Sequence, residues 1–229
     1  MYLIEMSDYT LPPAGSGDGI AGFHFALSPG EICAVEAPKP DDSHQFLRAV
    51  ATLAYPLKGI YRFIGNELNL RNYKELLSCK KKIGYIASDA ALISNLTVRQ
   101  NMLLHRYYFE NDVSIKIDGK LHDLCNALGI CHKLDRRPAE LNSLERQLAI
   151  VIREISKDPE VLLLSRPEDL VGHAQFDMLV GLFNDWVTQG KPVVFVSSDP
   201  RLIRRFATRR IHIAEGSLAT MDLNASSGD

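Results

Sequence analysis

No apolar run in this chain reaches the roughly 18 residues that a membrane-spanning helix needs, so any role at a membrane is expected to come through a partner. A basic excess is also missing. Net charge is −2, and the basic clusters Lys80-Lys81-Lys82, Arg136-Arg137, Arg204-Arg205 and Arg209-Arg210 are short. Nucleic-acid binding usually announces itself as a broad basic stripe, so no nucleic-acid partner is expected, and these clusters read as solvated faces or helix ends. The opening Met1-Tyr2-Leu3-Ile4-Glu5 lacks the basic and long apolar regions of a secretion signal, which sets the expectation of a cytoplasmic chain. Cysteine is scarce. Cys33, Cys79, Cys125 and Cys131 form no C-x-x-C pair, as expected of a reduced protein. His122, Cys125, Cys131 and His132 lie close together, but their spacing matches no structural zinc pattern. Helix packing explains them, and no metal site is expected.

What is present suits one large domain: 229 residues, 46% hydrophobic and 24% charged. Residues 2–6 and 20–28 read as strands around a Pro/Gly-rich turn. Ile32-Cys33-Ala34-Val35 is a short buried run, as in a central strand. Phe46, Leu47, Val50, Leu53 and Ala54 recur at helical spacing. Residues 59–68 read as a hairpin turning near Gly65-Asn66, and 82–87 as another strand. From 97 to 155 the pattern is helical throughout. Thr97 can cap a first helix over 98–107, Leu121, Leu124 and Leu128 mark a second ended by Gly129, and Asn142 or Ser143 can cap a third. Two more apolar strands, 161–164 and 193–196, flank a helix expected over 176–186. A short helix over 203–207 and a closing hairpin around Glu215-Gly216 follow, then a polar tail expected to be disordered from Asn224. Apolar strands alternating with helices imply a parallel α/β sheet. No internal repeat is found.

Several landmarks in this order resemble the nucleotide-binding domain of ABC transporters, over about residues 2–220. Pro29-Gly30-Glu31-Ile32-Cys33-Ala34-Val35 is similar to the strand before that family's phosphate loop. Ile83-Gly84-Tyr85-Ile86, then Leu96-Thr97-Val98-Arg99-Gln100-Asn101, resembles the Q-loop strand and the start of its helical subdomain. Pro138-Ala139-Glu140-Leu141 resembles the lead-in to the signature motif, and Arg153 falls at the signature helix's arginine. Asp158-Pro159-Glu160 with residues 161–164 and Pro167 resembles the Walker B strand. Residues 193–199 resemble the H-loop strand, and 209–216 the closing hairpin. The resemblance implies an α/β fold: a mostly parallel P-loop-like core sheet with an antiparallel β layer (1–93 and 157–220), an inserted helical subdomain (94–156) and a flexible tail (221–229).

At the positions that hold nucleotide in this family, the residues are changed. A phosphate loop needs glycines, so that backbone N–H groups can wrap the phosphates, with a lysine on the terminal phosphates and a hydroxyl on magnesium. Here Ala37, Pro40 and Asp42 stand at the glycines, Ser43 at the lysine and His44 at the hydroxyl, followed by Gln45. Pro40 removes a donor and fixes φ. Asp41 and Asp42 place negative charge where a polyanion would sit, worth roughly 1 to 4 kcal/mol of repulsion per unit-charge pair at about 4 Å. Both are expected to cap the following helix themselves.

By the same resemblance, Ser165 stands at the magnesium-binding aspartate, Arg166 at the catalytic glutamate, Ser88 at the Q-loop glutamine and Ser198 at the switch histidine, with Asp199 retained. A guanidinium cannot accept a proton from water. Arg166 is either solvated or paired with Asp41 or Asp42. The signature reads Leu141-Asn142-Ser143-Leu144-Glu145, with Leu144 in place of a glycine. Tyr9 is a candidate to stack on adenine, or a core residue.

The resemblance implies an ATP-binding-type subunit without hydrolysis, docking on a membrane permease through Ser88, Asp89, Leu92, Leu96, Thr97 and Asn101, as a homodimer or beside a second ABC subunit. No cofactor is expected. ATP and Mg2+ enter only in the alternative of a weak ATPase using His44, Gln45 and Asp199. A soluble dimeric regulator without a permease is a further alternative.

Overall fold

In the computed structural model, residues 1–170, 180–181 and 184–223 are described. The strands are β1 (Ile4–Leu11), β2 (Ile20–Leu27), β3 (Ile32–Glu36), β4 (Lys58–Phe63), β5 (Asn66–Glu67), β6 (Ile83–Ile86), β7 (Val161–Ser165), β8 (Val193–Val196), β9 (Arg209–Ala214) and β10 (Ser217–Asp222). The α-helices are α1 (Pro40–Val50), α2 (Tyr73–Lys81), α3 (Val98–Glu110), α4 (Gly119–Ala127), α5 (Ser143–Ile155), α6 (Pro167–Leu170) and α7 (Pro200–Phe206).

Strands β10-β9-β3-β8-β7-β6 form one sheet, parallel except for the β9–β10 hairpin at its edge. Strands β2-β1-β4-β5 form a second, antiparallel layer. Alternation along the parallel strands explains the two cores, because successive side chains point to opposite faces. Ala34, Leu162, Leu164 and Phe195 face one side and pack with α3, α4 and α5. Cys33, Val35, Leu163 and Val194 face the other, with Phe46 and Leu47 of α1 and with β1, β2 and β4. All five residues of β7 are buried, and each large aliphatic side chain so placed contributes about 1.5–3 kcal/mol. The α/β architecture is therefore the expected one: a mostly parallel sheet, an antiparallel layer, and helices inserted between β6 and β7.

Several boundaries differ from the expectation. β1 runs on to Leu11 and bulges between Met6 and Tyr9. α1 begins at Pro40, whose fixed φ suits the first helical position. It ends at Val50, because Thr52 takes positive φ and the N–H of Leu53 folds back to the Arg48 carbonyl at 2.7 Å. Leu53 and Ala54 therefore belong to the closing turn. The region 97–155 is not helical throughout: left-handed Asn111 stops α3, and Asp118 restarts the chain by capping α4. Helix α2 was not expected at all. Of the helix expected over 176–186, residues 180–181 and 184–186 are helical and the rest lie outside the described residues, as does the tail from 224.

Candidate functional site

The loop after β3 leads straight into the first turn of α1. Lys39 is the N-cap and supplies no side-chain cap. Asp41 and Asp42 do not cap the helix as expected. Asp41 instead accepts from the backbone N–H of Ser16 at 2.7 Å and from its hydroxyl at 2.8 Å. Asp42 accepts from the N–H groups of Asp18 at 3.1 Å and Gly19 at 2.9 Å. The bonds from Ser16 hold the Asp41 carboxyl below the usual carboxylate range. Both carboxylates reach to the β1–β2 loop, and their hydrogen bonds go there and not to Arg166, the paired one of the two alternatives for that residue. Ser43 turns its hydroxyl back to the Pro40 carbonyl at 2.9 Å and is buried.

A cleft of about 630 Å³ opens beside this turn, lined by Gly15, Asp41, His44, Gln45, Ser88 and Ser165 among others. Here the fold joins two distant positions: Ser165, ending β7, donates to Ser88 Oγ at 3.3 Å. His44 Nε2 and Gln45 Oε1 are buried without a hydrogen-bond partner among the described residues.

Arg166 and Ser198 line a second cavity of about 380 Å³ with Ala37, Pro40, Ser43 and His44, and His44 also lines the first. The backbone of Arg166 is left-handed, and its N–H is held by the Val196 carbonyl at 2.9 Å. Asp199 caps α7 and grips Arg201, whose guanidinium pulls its carboxyl down to about 2. A carboxylate held that low is a poor proton acceptor near neutrality.

The 142–145 segment lines neither cavity. Asn142 and Glu145 satisfy each other across the start of α5, side chain to backbone in both directions. The backbone N–H of Asn142, with Lys133 at 3.1 Å, holds the Glu145 carboxyl below its usual range. Ser143 is exposed, and Leu144 packs partly on the apolar core.

Of the two alternatives for Tyr9, the structure takes the core residue over the adenine stacker. Tyr9 is fully buried, edge-on to Phe23, so it has no face left to stack on a ligand. Its hydroxyl has no partner among the described residues, and burial pushes the phenol well above its ordinary pKa.

Along the expected docking segment, Ser88 and Asp89 are exposed, and Leu92 and Leu96 are half-buried. Thr97 makes a full capping box with Gln100. Asn101 is fully buried and so cannot touch a partner. It works from inside, accepting from the Ile93 N–H at 2.7 Å and donating to the Ile93 and Thr97 carbonyls. Arg153 supports the same loop through the Ala91 carbonyl at 3.1 Å. Sequence reasoning missed the exposed Ile93 and an aromatic cluster: Tyr73 and Tyr108 stand exposed on α2 and α3, with Lys81 over the Phe109 ring. A signal for α2 was present, because Asn72 and Glu75 have the spacing of a capping box, and the Asn72 side chain does cap the helix.

A profile of the family described as "ABC transporter" matches residues 44–167. The chain belongs to the ABC transporter family. Its relatives in this family include the macrolide export ATP-binding/permease protein MacB of Marinobacter nauticus, 23% identical over 94% of this chain and 34% of that protein. Another is the lipoprotein-releasing system ATP-binding protein LolD of Novosphingobium aromaticivorans, 23% identical over 88% of this chain and 90% of LolD. The chain thus spans about a third of the length of its MacB relatives. Among solved ABC structures, the dimeric ATP-binding cassette MJ0796 bound to ADP and Pi superposes with a TM-score of 0.81 at 18% identity, covering 96% of this chain and 98% of that one. That likeness establishes the cassette fold.

Proposed function

We propose that this chain is an ABC cassette that has lost ATP hydrolysis and serves as a structural or regulatory subunit docked on a membrane permease, paired with its own copy or with a catalytic paralogue. The observation that carries this reading is the end of β7. A hydrolytic site needs a magnesium ligand and a proton acceptor, and Ser165 and Arg166 offer a neutral hydroxyl bonded to Ser88 and a permanent cation. The first turn of α1 argues the same way. Pro40 has no N–H, the N–H of Asp42 goes to the Lys39 carbonyl at 3.1 Å, and two carboxylates stand where phosphates would be held. This donor set does not fit Mg-ATP.

The transport setting comes from the relatives, whose names join a cassette to a permease or to lipoprotein release. No helix among the described residues is long and apolar enough to cross a membrane, so we place the chain at the cytoplasmic face, held by its partner. The docking surface would be Ser88, Asp89, Leu92, Ile93 and Leu96, with Asn101 and Thr97 holding the loop in shape.

Titration calorimetry with ATP, with and without Mg2+, tests the reading together with phosphate release. No heat of binding at millimolar ATP and no release above the blank are expected. Micromolar binding with measurable turnover would sink it. The unpartnered His44 Nε2 favours one competing reading, a weak ATPase built on that ring, in which any turnover would vanish in His44→Ala.

A further inference from the structure

The glycines absent from the loop after β3 stand elsewhere, in Gly15-Ser16-Gly17-Asp18-Gly19. In a phosphate loop, the glycine-rich segment before a helix supplies N–H groups and the ligand supplies the anion. Here the first turn of α1 supplies the anions, Asp41 and Asp42, and the β1–β2 loop supplies the donors.

We propose that this contact is an intramolecular latch: the carboxylates of Asp41 and Asp42 take the part of a bound polyanion, and the glycine loop closes on them, keeping the start of α1 shut to nucleotide. The proposal rests on the reading that this cassette does not use ATP, and it supplies a physical cause for it.

Three independent features support the latch. The first is donor count. Four donors, the N–H and hydroxyl of Ser16 and the N–H groups of Asp18 and Gly19, converge on two side chains 23 to 25 residues away. The second is backbone shape. Gly15 and Gly19 have φ of +56° and +77°, which side chains disfavour. A Cβ on Gly15 would run into the Asp41 carboxylate, one on Gly17 into that of Asp42, and one on Gly19 would lie 2.6 Å from the Leu11 carbonyl. The carboxylates thus require glycine at 15 and 17, and the backbone of Leu11 to Pro13 requires it at 19. The third is burial. Asp42 is only 1% exposed, and a carboxylate taken out of water is strongly unfavourable unless its oxygens are satisfied. The loop donors satisfy both oxygens, so opening the loop exposes or orphans the charge. Lys39 adds an outer tie to Asp18 at 2.5 Å. Ala14 and Gly15 also wall the cleft that holds His44, Ser88 and Ser165, so a ligand approaching the start of α1 there meets the closed loop.

Amide hydrogen exchange on the full chain without nucleotide tests the latch directly. Residues 16–19 are expected to be protected in the wild type. Asp42→Asn turns an N–H donor towards N–H donors, and should speed exchange in that loop by about tenfold or more while β7 stays protected. If that variant does not fold, Gly17→Ala serves: its φ is ordinary, and its methyl pushes on the Asp42 carboxylate. Exchange at 16–19 that is already as fast as in an unstructured peptide, or that is unchanged in both variants, would overturn the latch. Phosphate release by the wild type would instead overturn the reading of function. The two failures are separable, because the exchange is read without ATP.

Discussion

At single residues, the informative cases are polar atoms whose partners the fold decides. The Tyr9 hydroxyl is buried with none, and an unsatisfied buried hydroxyl costs roughly 1–3 kcal/mol. Tyr9→Phe should therefore be neutral or stabilising by up to about 1 kcal/mol in urea unfolding, whereas a ligand-stacking tyrosine would show no such gain. Asn101 is the opposite case, with its amide satisfied on both sides by the loop it holds. Asn101→Ala leaves the Ile93 N–H and carbonyls without partners and should cost about 2–3 kcal/mol. It should also raise proteolysis at 91–97 before global unfolding. His105 carries a pH dependence. Burial, with Lys157 nearby, pushes its pKa from 6.5 down to about 4. The folded state disfavours the charged ring, so this contribution is whole above pH 6.5 and is lost as pH falls towards 4. Allowing for the ring's partial solvation, the loss is on the order of 1 to 2 kcal/mol. His105→Gln should flatten the wild type's decline in urea midpoint across that window.

At the scale of elements, caps set helix boundaries more firmly than apolar spacing does. Thr97, Asp118 and Asn142 each accept from a backbone N–H of the first turn they precede. Losing such a cap costs about 1 kcal/mol, so Asn142→Ala should lower the unfolding free energy by that amount and fray α5 in hydrogen exchange. In a cassette whose 142–145 segment still served nucleotide, the same change would also alter ATP affinity. On the proposed function, stability alone should move. Apolar spacing misled at the far end of α1, where Leu53 and Ala54 continue the helical rhythm past Thr52, whose left-handed backbone ends the helix.

Across the whole molecule, a buried carboxylate adds a polar tie to the apolar packing between the inserted helices and the sheet. Glu154 of α5 accepts from the Tyr85 N–H of β6 at 3.3 Å and sits between Arg153 and Lys157. Removing one member of a buried ionic group leaves uncompensated charge, at about 3 kcal/mol or more. Glu154→Ala should therefore cause a larger loss than any single cap. Because Arg153 also holds the Ala91 carbonyl, the proposed docking on a permease predicts that the variant loses partner binding in membrane-fraction pull-downs more than its stability loss explains. Unchanged pull-down in a folded variant would remove the 88–96 loop from the proposed docking surface.

Much of the architecture was legible in the chain itself. Apolar runs placed β3, β7 and β8, helix caps placed α3 and α5, and turn residues placed both hairpins, because each depends on neighbours within a few positions. Which residue types stand at the start of α1 and the end of β7 was also legible, since identity at a position needs no coordinates. The direction of each side chain was not. Tyr9 turned inward because β1 is covered on that face by Phe23 and α1, and Asn101 because α3 packs its first turn under the loop it holds. Asp41 and Asp42 turned from the expected helix cap to the β1–β2 loop because the antiparallel layer brings Ser16, Asp18 and Gly19 over the start of α1. Local sequence determined which groups were available. Packing between segments far apart in the chain decided which of them meet, because a buried charge is satisfied by whichever donors the fold carries to it.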